Sequence, residues 1–342
     1  MRVAYVALRT VRHRSTPATR RLQRVAASVS AAGDEVAVFC PRWAESGDAP
    51  EIDGVDHRPV APDPDSRVRF RARLPLAVRR FDPDVVHALA APPRAVRAAD
   101  GAATLARVPL VAEWFDPVTE PDPGVFSRPA RSIAPSELVA TRLRERGADP
   151  VTTIPEAIRF DRLTDVDSDD RGDVVSARRL DDDANLDSLL LALAEVRDRD
   201  WSAVVIGDGP EADAYRERAT ELRIDDRVTF VDDADREERL GIYRGAHAFV
   251  QTARRCVFAR ELLWALAAGC VGIVAYHAGS SAHELVAGRE HGAAVTTDVE
   301  LVDAIRSAAD HDRRTIDESF RSYDVAAIAD RYRETYRELR NG

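Results

Sequence analysis

The feature that most constrains this chain is a repeated alternation of short β-branched runs with helical stretches, present in both of its halves. In the first half "RVAYVAL" (2–8), "EVAVFC" (35–40), "DVVHAL" (84–89) and "VPLVAEW" (108–114) have the composition of strands. A helical pattern over roughly 18–32 is closed by Gly33, and "RSIAPSELVATRLRERG" (131–147) predicts a short strand, a Ser136 cap and a helix ended by Gly147. In the second half the strand runs are "DVVSARRL" (173–180), "WSAVVIGDGP" (201–210), "RVTFVDD" (227–233), "AHAFVQT" (246–252) and "VGIVAYH" (271–277). The tail "DVAAIADRYRETYRELR" (324–340) has the apolar spacing of one amphipathic helix. Strands that alternate with helices build parallel sheets, so two doubly wound α/β domains are expected, with ligands at the carboxyl ends of their strands.

Proline marks where one domain gives way to the other. Eighteen of the 19 prolines lie at or before Pro155, and only Pro210 comes later. Next comes "FDRLTDVDSDDRGD" (160–173), with six aspartates, which has a linker's composition. The expected organisation is a first domain over 1–160, an acidic linker over 161–172, a second domain over 173–320, and a terminal helix over 321–342 that crosses back to the first domain. At 342 residues the chain is long enough for two such cores.

Composition narrows the function classes. All 49 basic residues are arginine, against 59 acidic residues, for a net charge of −10. A salt-adapted cytoplasm or a GC-rich genome each accounts for the missing lysine. A net acidic protein lacks the basic face of a general nucleic-acid binder. No run approaches the ~20 apolar residues of a membrane span, and the first strand run is too short for a signal peptide. Cys40, Cys256 and Cys270 show no ligand spacing, so reduced thiols and a cytoplasmic setting are expected.

The order of landmarks from "VVSARRL" (174–180) through "VVIGDGPEADAYRERATELRIDDRVTFV" (204–231), "LAAG" (266–269) and "SSAHELV" (280–286) resembles glycosyltransferase family 4. "FDPDVVHA" (81–88) and "IAPSELVATRLRERG" followed by "IPEAIRFDRL" (154–163) extend the likeness into the first half. The resemblance implies a GT-B fold, two Rossmann-like domains facing a cleft, and transfer of a hexose from a nucleoside diphosphate sugar. It also implies that arginines and a helix N-terminus, rather than a metal, meet the charge of the leaving diphosphate.

Carried over position by position, the family's arginine falls on Arg179 and its lysine on Ala184. Its two glutamates, eight positions apart, fall on Cys256 and Trp264, so the retaining stereochemistry that travels with them is not carried over. Val257, Phe258, Ala259 and Arg260 occupy the donor loop, and Glu261, one turn before Trp264, is the local carboxylate left to meet a ribose or orient the donor. Complementing the helix dipole is its other role. Ser280, Ser281 and Glu284 match the family's turn of two glycines and a glutamate, and Ser281 with Glu284 also fits a capping box.

The loop after the first strand departs from the family's glycine pair and instead carries six arginines between Arg9 and Arg24. Arg12 and Arg14 are candidates for an acceptor phosphate or a lipid-linked acceptor at the inner membrane face, unless the loop is simply salt-bridged. His87 and Glu113, at strand ends, are candidates for the acceptor's base, or are structural. Two function classes stay open: a hexosyltransferase, and a non-catalytic relative that serves as a binding or partner subunit. A dinucleotide-dependent oxidoreductase lacks its glycine fingerprint here.

Overall fold

The computed structural model describes residues 1–43, 51–115 and 123–341. The chain divides into two compact units, Met1–Glu156 with Val325–Gly342, and Ala157–Asp324.

The first unit runs β1 (Arg2–Val6), α1 (Pro17–Ala31), β2 (Glu35–Pro41), β3 (Glu51–Ile52), β4 (Val55–Ala61), α2 (Arg67–Phe81), β5 (Val85–Leu89), α3 (Arg94–Ala106), β6 (Leu110–Glu113), β7 (Arg131–Ala134), α4 (Glu137–Arg144) and β8 (Val151–Thr153). Its sheet has the order β3-β4-β2-β1-β5-β6-β7-β8, parallel except for the β3–β4 pair. The direction of winding reverses between β1 and β5. Val3, Ala4, Tyr5 and Val6 are fully buried, as expected of a central parallel strand covered on both faces. Helix α1 starts on a capping box in which Thr16 and Thr19 exchange side-chain and backbone bonds, with Pro17 at its first position.

The second unit runs β9 (Val174–Ala177), α5 (Leu186–Glu195), β10 (Ala203–Ile206), α6 (Ala212–Glu221), β11 (Val228–Val231), α7 (Arg236–Gly245), β12 (Ala248–Gln251), β13 (Arg255–Cys256), α8 (Arg260–Ala267), β14 (Val271–Ala275), β15 (Gly279–Ser280), β16 (Gly292–Val295) and α9 (Asp298–Ala308). Six parallel strands form one sheet in the order β11-β10-β9-β12-β14-β16, and β13 pairs with β15 separately. One apolar cluster lies under α5 and α9 and the other under α7 and α8. The last helix, α10 (Val325–Asn341), belongs to the first unit and packs on α1.

The unit boundaries differ from the expected ones. The chain passes between units at 156/157 and 324/325, and the acidic segment 161–172 lies inside the second unit. Its aspartates misled because charge says nothing about the backbone beneath them. Phe160 and Leu163 are buried in a 3-10 turn, and the Asp169 N–H donates to the Gly241 carbonyl at 2.9 Å. A Cβ on Gly245 would lie 2.0 Å from the Asp169 carbonyl, so α7 admits the segment only through its glycine face.

Candidate functional site

In the second unit β9, β10 and β11 wind one way and β12, β14 and β16 the other, so the reversal lies between β9 and β12. Ligands of doubly wound sheets sit outside the carboxyl ends of the strands at such a point. There the loop after β9 and the loop after β12 are stitched together. Thr252 Oγ1 donates to the Ala184 carbonyl (3.0 Å), Asn185 Nδ2 to the Thr252 carbonyl (3.2 Å), and the Arg254 N–H to the Asp183 carbonyl (3.0 Å). The turn "GDGP" closes on the same loop. A Cβ at Gly207 or Gly209 would stand 1.9 or 2.0 Å from the carbonyls of Arg178 and Leu180, an approach only glycine permits.

The two loops at this edge carry three arginines. Arg179 is 70% exposed, with Nε 3.8 Å from Asp181. Arg178 is pinned by the Arg179 carbonyl (3.0 Å) and Asp181 Oδ1 (3.2 Å). Arg254 is exposed. Ala184, on the family's lysine position, is fully buried in the apolar cluster, so a long cation there would have to leave the core. Sequence reading singled out neither Arg178 nor Arg254 for the phosphates. Arg178 is the neighbour of Arg179 in sequence, and Arg254 comes to the loop after β9 through its bonds to the Asp183 and Asp182 carbonyls.

The helix starts at this edge also differ from their neighbours. Asp235 caps α7 and Thr297 caps α9, both beside the outer strands. Helices α5, α6 and α8, which come after the central strands β9, β10 and β12, have no side-chain cap at Asn185, Glu211 or Ala259. Leading N–H groups without a cap are donors for an anion.

Glu261 stands in the first turn of α8. Its Oε2 accepts from the Tyr243 hydroxyl at 2.7 Å, and burial holds that phenol's pKa well above the ordinary value, so it remains a donor. Glu261, Tyr243, Trp264, Leu240, Arg236 and Arg239 line a cavity of about 110 Å³. Trp264 is 2% exposed and belongs to the apolar core, with the Arg260 guanidinium 5.8 Å from its ring. Cys256 is a thiol rather than a nucleophile: burial pushes its pKa up to about 11, against the pull of Arg178.

Several expected residues are placed otherwise. Ser280 and Ser281 are buried, and the Ser281 hydroxyl donates to the Val257 carbonyl at 2.7 Å, while its N–H donates to the Cys256 carbonyl. They knit the β13–β15 pair rather than face a donor. The Ser281–Glu284 capping box does not form, because Ser281 leads into a four-residue 3-10 turn and its hydroxyl is spent on the neighbouring loop. Val257, Phe258 and half-buried Glu284 flank this pair, and Ala259 is buried beside it.

In the first unit His87 and Glu113 are fully buried beneath α1 and α10, which corrects the acceptor-base expectation. Arg21 Nε donates to Glu113 Oε1 at 2.9 Å, and its Nη2 to the Ile154 carbonyl (2.6 Å) and the Tyr332 hydroxyl (2.8 Å). Tyr332 also donates to Glu113. His87 Nδ1 is 2.6 Å from the Tyr336 hydroxyl, which is 2.9 Å from that of Tyr5. Burial lowers the His87 pKa to about 4, outweighing the pull of Glu113. Burial pushes the Glu113 carboxyl up, but Arg21 and the hydrogen bonds outweigh it and hold it low. Neither group reaches solvent to take a proton from an acceptor. Of the loop's arginines, Arg21 and Arg24 are spent on Glu113 and Glu156, whereas Arg12 and Arg14 stay exposed. Among the described residues no cluster of His, Cys, Asp and Glu is arranged to hold a metal.

Comparison with known proteins agrees with this architecture. The family model "Glycosyltransferase Family 4" matches residues 18–162, and "Glycosyl transferases group 1" matches 163–321. No curated protein gave a sequence match. Among solved structures, a glycosyltransferase from Rickettsia africae superposes with a TM-score of 0.78 at 13% identity, over 99% of this chain and 98% of that one. Anabaena Alr3699/HepE in complex with UDP-glucose gives 0.73 at 16% identity, over 99% and 100%. The lipopolysaccharide outer core galactosyltransferase WaaB in its apo form gives 0.75 at 14% identity, over 99% of each. Two doubly wound units in this order, matched in succession over residues 18–321 by the two family models, place the chain in the group 1, family 4 glycosyltransferases of the GT-B fold.

Proposed function

We propose that the protein transfers a hexose from a nucleoside diphosphate sugar held on the second unit, at the β9/β12 reversal. The observation that carries this reading is the contrast among helix starts, uncapped at the centre of the sheet and capped at its margins, beside the exposed Arg179. Negative charge grows on the leaving diphosphate as the glycosidic bond breaks, and fixed cations and oriented N–H groups stabilise it without rearranging. Arg179, with Arg178 next to it in the loop, fills that role, so no metal is required. The cavity at Glu261 is of a size for the ribose rather than the whole nucleoside, with the carboxylate on a ribose hydroxyl. The solved complexes of Alr3699/HepE with UDP and with UDP-glucose favour a uridine donor.

A second reading is a donor-binding subunit without turnover. It is favoured by Cys256 and Trp264 at the two family glutamate positions, the tryptophan locked in the core. Calorimetry with UDP-, GDP- and ADP-sugars in molar KCl tests both. Micromolar binding of one donor, lost in Arg179→Ala, supports the site. Donor hydrolysis or transfer then favours the enzyme, and binding without either favours the subunit. A folded protein that binds none of the panel refutes both.

A further inference from the structure

We propose that the outward face of α2 is a docking surface for an anionic lipid bilayer. The helix RVRFRARLPLAVRRF buries Phe70, Leu74, Val78 and Phe81 against α3 and β4, four side chains at spacings that define its inner face. Its outer face carries Arg69, Arg73, Arg79 and Arg80, together with Val68 at 83% and Leu76 at 50% exposure.

Three observations set this face apart. The helix has six arginines and no acidic residue, in a chain of net charge −10. Among the described residues none of those six makes an ion pair; Arg12 and Arg14 share that freedom in a loop, but α2 gathers six such arginines on one helix, whereas Arg2, Arg128, Arg144 and Arg216 are each held by a carboxylate. Of the acids at its ends, Asp63 accepts from the Ser66 hydroxyl and feels Arg69, Asp82 lies 3.9 Å from Arg2, and Asp84 accepts from the Arg2 N–H and pairs with Arg340, while Asp65 stays exposed before the first turn. Local stability does not account for the pattern either. Arg79 and Arg80 suit the last turn of a helix, but Arg67 and Arg69 stand in the first turn, where the dipole disfavours cations.

Arginine interleaved with exposed aliphatic side chains is the chemistry of a helix lying in a membrane interface, cations on the headgroups and Val68 and Leu76 entering the acyl boundary. A nucleic acid would satisfy the charges and leave the two aliphatic side chains in water. Of the two arginine-rich segments, the loop at 9–24 spends Arg21 and Arg24 inside the fold, and α2 spends none. Membrane binding here needs neither donor nor turnover, so its failure leaves the glycosyltransferase reading intact.

The test is flotation of the full chain with phosphatidylcholine vesicles, alone and mixed with phosphatidylglycerol, over a range of KCl. Flotation with the mixed vesicles only, weakening as salt rises, is expected. Arg69→Gln/Arg73→Gln/Arg80→Gln should cost about a hundredfold in partitioning. Leu76→Gln should cost roughly threefold, and Arg12→Gln/Arg14→Gln nothing. These side chains point outward, so melting temperature and circular dichroism should stay at wild-type values. Absence of flotation, equal flotation of the triple variant, dependence on Arg12 and Arg14 instead, or retention of a short DNA duplex in place of vesicles would each overturn the proposal.

Discussion

The two units put the same architecture to opposite uses at the carboxyl ends of their strands. In the first unit Arg21, Glu113, Tyr332, His87, Tyr336 and Tyr5 are joined in one buried network beneath α1 and α10, in which His87 Nε2 and Glu113 Oε2, 3.6 Å apart, lack a hydrogen-bond partner. In the second unit the corresponding edge keeps Arg179 in solvent, beside three helix starts without side-chain caps; α2 and α3 of the first unit lack such caps too, so the difference lies in the cation. Polar groups at a strand end are therefore not evidence of a site until their partners are counted. Those of the first unit are spent within the fold, and of those in the second Arg179 stays in solvent.

The sharpest way to break this comparison is to remove one member of the buried pair. Glu113→Ala or Arg21→Ala leaves an uncompensated buried charge and should cost about 3–5 kcal/mol of stability, seen as a large fall in melting temperature. Loss of both partners together in Arg21→Met/Glu113→Leu should cost less than the sum of the two. Additive losses would mean that the network is not one unit.

Acid should open the first unit through His87. The histidine is neutral when folded, with a pKa near 4 against 6.5 unfolded, so the unfolded state binds the extra proton between those values. Stability is complete above about pH 6.5 and is lost as the pH falls toward 4, by on the order of 3 kcal/mol. His57 and His13, also lowered chiefly by burial, act in the same direction. Denaturant titrations at pH 7 and pH 5 should show a smaller difference in His87→Gln than in wild type. An unchanged difference would move the effect to His57 and His13.

In the second unit the ordering reverses. Arg179→Ala should weaken donor binding by ten- to a hundredfold, the worth of about 1.5–3 kcal/mol for hydrogen bonds to a charged group, with the melting temperature unmoved. A fall in stability without a change in affinity would make Arg179 an ordinary surface residue. Glu261→Gln is the smallest of these perturbations. It should lower donor affinity or turnover a few-fold and change stability by no more than the ~0.3–1 kcal/mol of a helix-dipole contact. Unchanged kinetics would leave Glu261 with the dipole role alone.

Strand and helix alternation was legible because periodicity is local, and each strand run quoted from the sequence contains an observed strand. Helix α2 was also legible in principle, from Phe70, Leu74, Val78 and Phe81 at intervals of four, four and three. The donor edge was partly legible. Arg178 and Arg179 directly follow the β9 run in sequence, so Arg179 could be placed, whereas Arg254 reaches the same loop only because two loops meet. What the sequence by itself determined was the order of elements, the two-domain α/β class and the family, since these rest on neighbours within a few residues of one another. Only the tertiary structure decided which charges are spent. Arg21 meets Glu113 across 92 positions and Tyr332 meets Glu113 across 219. A buried polar group must find its partner wherever the fold brings one, and no local pattern records that distance.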